Sequence, residues 1–167
     1  MSLIVEHSWS SLNKAGEELC GDSVMVRKSA VSFAAVLSDG LGSGVKASIL
    51  STLTAEIAAR MFESGAPVED VLQTLVETLP ECSVRKLAYA TFAVLTVKNG
   101  RDAHLVEFDS PPLILVRDHG IVKLPMEERE VNGRKIREAR FALQENDFLI
   151  MISDGYVHAG LGGIYRL

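Results

Sequence analysis

Between residues 43 and 79 the chain carries two helical apolar patterns in succession, and β-type runs stand on both sides of them. This order constrains the fold more than any other feature. Parallel doubly wound folds alternate strand and helix. A block of helices set among strands that pair with their chain neighbours predicts an α+β architecture with antiparallel sheets. The first helix is expected from Ser43, a suitable N-cap, to near Gly65, a natural residue just past a helix end. Val45, Ile49, Leu53, Ile57 and Met61 recur every four residues, widened by Ala47, Leu50 and Ala58, and predict its buried face. The second helix opens at Pro67, with Glu69 and Asp70 favourable near its positive end. Its buried face is expected at Val68, Val71, Leu72, Leu75, Val76 and Leu79.

Strands are expected before the helices in SLIVEHSW (2–9), GDSVMVRK (21–28) and AVSFAAVLS (30–38). After them, LAYATFAVLTVK ends at Asn99-Gly100, a pair suited to a two-residue type I′ turn, so RDAHLVEF is its hairpin partner. A second hairpin joins LILVRD to IVKL through a turn at His119-Gly120, and DFLIMIS is the last apolar strand. The charged run from Glu127 to Arg140 is expected to be a solvated flap or loop. Two helices cannot cover both faces of so many strands. Two sheets packed face to face with the helices outside satisfy burial better.

The chain has 167 residues, the size of one domain, and its net charge of −5 argues against direct nucleic-acid binding. No apolar stretch reaches the ~18–20 residues that span a bilayer, and MSLIVEHSW lacks the features of a secretion signal. Cys20 and Cys82 have no metal-ligand spacing and read as free thiols. A cytoplasmic setting is expected.

Two apolar runs end on the same tripeptide: VLSDGLGSG at residues 36–44 and MISDGYVHAG at 151–160. A single Asp-Gly after a strand is ordinarily a turn. Here both approaching strands look central, which would set Asp39 and Asp154 at the mouth of a core. Gly40, Gly42 and Gly44 alternate after the first, a density that lets backbone and ligand approach closely. Asp22 opens another strand behind Gly21. Three carboxylates meeting in one cleft repel unless a cation neutralises them, and Mg²⁺ or Mn²⁺ suits oxygen ligands.

The ordered stretches GEELCGDSVMV, VLSDGLGSGVKAS, YATFAVLTVKNG, FDSPPLILVRDHGIVKL and ENDFLIMISDG resemble the successive motifs of the stage II sporulation protein E family, within the type 2C metal-dependent serine/threonine protein phosphatases. The resemblance implies a sandwich of two antiparallel sheets flanked by helices, holding two Mn²⁺ or Mg²⁺ ions at one edge. It implies that Asp39 bridges both ions, that the Gly40 carbonyl holds one, that Asp154 holds the other, and that Asp22 binds directly or through water. The implied substrate is a phosphorylated signalling protein of the anti-anti-sigma type. A regulatory domain or partner is expected to act on the Gly40–Met61 loop and helix.

The resemblance departs at two places. No acidic Asp-Asp-x-Thr stretch follows the last motif before Leu167, and Leu41 stands where eukaryotic relatives carry a histidine. Residues 1–167 are therefore expected to be a single phosphatase-like domain cut short at its C-terminus. The alternative is a catalytically weak or inactive binding module of the same fold. Lys46 and His158 read as surface residues in first place, with roles at phosphate or metal as their second reading.

Overall fold

The computed structural model describes residues 3–13, 16–42, 44–78, 90–131 and 133–158. The expected N-cap Ser43, together with Leu79 and Cys82, lies outside the described residues. The chain opens with β1 (Asp22–Lys28) and β2 (Ser32–Gly40), then α1 (Gly44–Glu63) and α2 (Val68–Thr78). The meander follows as β3 (Ala90–Lys98), β4 (Asp102–Phe108), β5 (Ile114–Arg117) and β6 (Gly120–Val122). It continues through β7 (Glu127–Val131), β8 (Arg134–Ala142) and β9 (Phe148–Ile150) to the short α3 (Asp154–Val157).

The strands form two antiparallel sheets. One has the order β1-β2-β3-β4-β8-β7 and the other β6-β5-β9. Strand alternation divides the core into two layers. Val36, Val94, Val106 and Ile136 pack under the helices with Leu50, Ala58, Phe62, Val71 and Leu72. Phe33, Ala35, Leu95, Leu105 and Ala139 face the other way, against Leu115, Val122 and Leu149 of the small sheet. The sandwich and its outer helices are those predicted.

Helix α1 buries part of the face its apolar spacing predicts: Ala47, Leu50 and Ala58 lie inside and Ile57 and Met61 pack against the core, but the first three residues of the four-residue stripe do not. Its buried residues are Ala47, Leu50, Ser51, Thr54, Ala55, Ala58, Ala59 and Phe62. Val45, Ile49 and Leu53 are 62%, 54% and 45% exposed. Mostly small side chains lie against the sheet, so the helix backbone approaches it closely. Ser51 and Thr54 satisfy their hydroxyls on the carbonyls of Ser48 and Leu50, which removes the cost of burying them. The helix stops as expected: Gly65 has φ 82° and the Ala66 N–H donates to the Met61 carbonyl at 2.9 Å.

Four other expectations change. Residues 3–9 form no strand, although Leu3 and Val5 still pack on the inter-sheet core. The β3–β4 connection has three residues, because Lys98 pairs with Asp102; Asn99 and Gly100 still take positive φ. The β5–β6 turn is centred one residue earlier than expected, on Asp118 and His119, at φ 49° and 64°. The charged run is a hairpin, β7 with β8, rather than a flap. Arg129 of β7 pairs with both Glu69 of α2 and Glu138 of β8, which fastens the second helix to the sheet.

Among the described strands β9 pairs with β5 alone, so it is not central, and Phe148 is 68% exposed. A bidentate ion pair secures its approach. Arg117 Nε and Nη2 donate to the two Asp147 carboxylate oxygens at 2.7 and 2.8 Å, and the Gln144 N–H donates to one of them at 2.8 Å. The Asp147 side chain is 2% exposed. The Arg117 bond, chiefly, holds its carboxyl below the usual aspartate range. A depressed folded-state pKa stabilises the fold above the unfolded value and loses that contribution as pH falls through the folded one. Asp147→Asn should therefore cost about 2 kcal/mol at pH 7. The gap from wild type in urea melts should shrink below about pH 4. An equal gap at pH 7 and pH 3 would contradict this assignment. Among the described residues no helix is long and apolar enough to cross a membrane.

Candidate metal centre

The site forms where both sheets end. Asp22, the first residue of β1, is the cross-strand partner of Asp39, near the end of β2. Such partners have Cα atoms about 5 Å apart. Alternation along β2 puts Val36 and Ser38 under the helices and Asp39 on the inter-sheet face. Ser38 is fully buried and its hydroxyl donates to the Thr91 carbonyl at 3.0 Å, so this serine is structural. Asp154 arrives from the other sheet, as the first residue of α3 after β9.

Asp39 records the meeting of all three. Its pKa is pushed up to about 8, first by burial, then by a side-chain hydrogen bond with Asp154, then by the charges of Asp22 and Asp154. Every one of these effects disfavours the ionised form. A carboxylate in this position is neutralised by a proton or by a cation. Among the described residues no group of three or more His, Cys, Asp and Glu side chains has the spacing of a finished metal cage. The two observations differ in what they ask. Close mutual electrostatic contact does not require ligand-like spacing, and repulsion among metal-free carboxylates opposes that spacing. Three carboxylates plus nearby backbone oxygen form a hard donor set that fits Mn²⁺ or Mg²⁺.

The glycine loop has a steric reason at its first position. A Cβ on Gly40 would sit 2.2 Å from the Ala47 carbonyl oxygen, so the end of β2 lies directly on the first turns of α1. The Gly40 N–H donates to the Gly21 carbonyl at 3.2 Å, which closes β1 onto the same corner. Gly42 and Gly44 take φ 100° and 73°, values that L side chains rarely adopt. Leu41 is exposed beside them. Lys46 lies on the exposed side of the first turn of α1, and His158 is the exposed residue at the end of α3.

One contact was not anticipated from the sequence. The Ser153 hydroxyl donates to Asp22 Oδ2 at 2.7 Å, joining residues 131 apart. The repeated Ser-Asp-Gly carried a signal for it, since both serines were part of the repeat.

The family profile described as "Stage II sporulation protein E (SpoIIE)" matches residues 29–165. The chain belongs to the stage II sporulation protein E family. It is 27% identical over 148 residues to stage II sporulation protein E of Bacillus subtilis (strain 168), covering 85% of this chain and 18% of that protein. The SpoIIE member described here thus spans about a fifth of its curated relative's length. Its fold is that of PP2C phosphatase domains. The solved structure of the PP2C phosphatase domain and a fragment of the regulatory domain of Bacillus subtilis SpoIIE matches it with a TM-score of 0.73 at 23% identity. That match covers 92% of this chain and 46% of the other. The structure of RsbX in complex with magnesium matches with a TM-score of 0.66 at 21% identity, covering 86% and 71%.

Proposed function

We propose that residues 1–167 are a single cytoplasmic phosphatase domain. It hydrolyses phosphoserine or phosphothreonine on a signalling protein of the anti-anti-sigma type, and it depends on two Mn²⁺ or Mg²⁺ ions. The observation that carries this reading is the convergence of Asp22 and Asp154 on a half-buried Asp39, the cross-strand partner of Asp22, whose pKa burial and these two carboxylates raise. Family membership supports it, and so does the magnesium complex of RsbX, a protein of the same fold.

In this reading Asp39, Asp154 and the Gly40 carbonyl would hold the ions, with Asp22 binding directly or through water. When bound, such a pair supplies activated water and screens the charge of the phosphoryl group. The chain's own contribution is placement. The two sheets bring carboxylates from opposite sides of the sandwich, and the Gly40–Ala47 contact fixes where the loop carbonyl stands. Positioning and electrostatics then account for most of the acceleration of an in-line displacement.

The Gly40–Met61 loop and helix are where a regulatory domain or partner acts. Two observations favour this. The outer face of α1 exposes Val45, Ile49 and Leu53, an apolar stripe of the kind that partners cover. The same helix touches the metal loop through Ala47 without spare room, so a shift of one moves the other.

The test is hydrolysis of p-nitrophenyl phosphate and of a phosphoserine protein, with and without metal. Activity should vanish with chelator and return on adding Mn²⁺ or Mg²⁺. Metal binding without any turnover would favour the alternative, an inactive binding module.

A further inference from the structure

Ser153 occupies the N-cap position of α3, with φ −86° and ψ 169°, yet its side chain makes no capping hydrogen bond. A serine there ordinarily turns its oxygen to the N–H groups of the first helical turn. This hydroxyl instead crosses to the other sheet and donates to Asp22 Oδ2 at 2.7 Å. The hydroxyl therefore gives up its usual local role for a contact with a carboxylate of the site. We infer that Ser153 is a positioning residue for Asp22, holding one carboxylate oxygen so that the other faces the divalent cation. This inference rests on the metal-dependent reading above.

Three features of the geometry bear on it. A carboxylate has two oxygens, and a single fixed donor on Oδ2 removes the rotation that would let both oxygens exchange at the cation. The donor comes from the residue immediately before Asp154, so the same short segment delivers one ligand and orients another. The bond also links β1 of the large sheet to the segment that leads from β9 of the small sheet into α3, across the corner where the cation would sit. Hydrogen-bonding partners of metal ligands typically change metal affinity by about 10–100-fold when removed.

Calorimetric titration of the full chain with Mn²⁺ tests the inference. Ser153→Ala should raise the Kd by about 10–100-fold, and Ser153→Thr, which keeps the hydroxyl, should restore it. At saturating Mn²⁺ the Ala variant should regain wild-type kcat, since the hydroxyl acts through affinity and not on the substrate. In an Asp22→Ala background the Ser153→Ala change should have no further effect on Kd. An unchanged Kd for Ser153→Ala overturns the positioning role, and so does a lowered melting temperature of the chelated protein with Kd unchanged. If Asp39→Asn still abolishes Mn²⁺ binding in those cases, the metal centre itself stands. If the wild-type chain binds no Mn²⁺, the metal-dependent reading fails and this inference with it.

Discussion

Asp39→Asn is expected to remove Mn²⁺-dependent phosphate release, by on the order of 10³-fold or more, while making the metal-free protein more stable. Both effects come from one geometry. Asp39 is half-buried and faces two further carboxylates, and each of them disfavours its charge. An amide of the same shape keeps the packing and is neutral without taking up a proton, so the cost of neutralising Asp39 on folding without metal disappears. It also removes the anionic ligand proposed to be shared by the two cations. Opposite signs for stability and activity distinguish a functional carboxylate from a structural one, whose loss would lower both. Thermal melts in chelator and initial rates across a Mn²⁺ series measure the two arms. A variant with activity within about tenfold of wild type at saturating metal would remove Asp39 from the centre.

Among the glycines whose surroundings are described, Gly40 is where an added methyl should do most damage. The added carbon would lie 2.2 Å from the Ala47 carbonyl oxygen and 2.7 Å from its carbonyl carbon. These are backbone atoms of a helix, which cannot rotate away as the tip of a side chain can. Either α1 lifts from the sheet or the end of β2 bends outward. Overpacking of this kind costs roughly 3 kcal/mol or more, or about 6–12 °C in melting temperature for a chain of this size. The expected signature is a loss of Mn²⁺ affinity together with the lowered melting point, because the displaced residue is the one whose carbonyl is proposed as a ligand. Gly16→Ala is the control: nothing lies within 4 Å of its added carbon, although its φ of 88° carries a strain of its own. It should lower stability and leave metal affinity unchanged. Equal melting points for wild type and Gly40→Ala would mean that the β2–α1 contact is looser than described.

The sandwich was legible because block order and alternation are properties of a chain read locally. The proposed site drew on a different signal, the repeated Ser-Asp-Gly after two apolar runs, together with Asp22, which pairs with Asp39 across β1 and β2. What the sequence concealed was mostly a matter of contact between distant parts. Val45, Ile49 and Leu53 open the four-residue apolar stripe of α1 yet are exposed, while Ser51, Thr54, Ala55 and Ala59, which the spacing did not mark, are buried. Hydrophobicity ranks residues by size of apolar surface, whereas close approach to a flat sheet favours small ones. In the hairpin of β7 and β8 the charges hid the strand pattern. Arg129, Glu138 and Arg137 spend theirs on one another and on Glu69 and Glu107, so a run that looks solvated is woven into the sheet. The sequence carries a second Asn-Gly pair at residues 132–133, the same turn signal as Asn99-Gly100.

Asp22 and its hydroxyl partner Ser153 stand 131 positions apart, which matters while the protein is being made. A ribosome releases β1 and β2 early, and these carry two of the acidic groups without the third. Until the segment after β9 has cleared the exit tunnel, the corner stays unfinished. On the proposed reading a nascent chain of this kind lacks its third carboxylate, however well its first sheet has formed, until synthesis has passed α3.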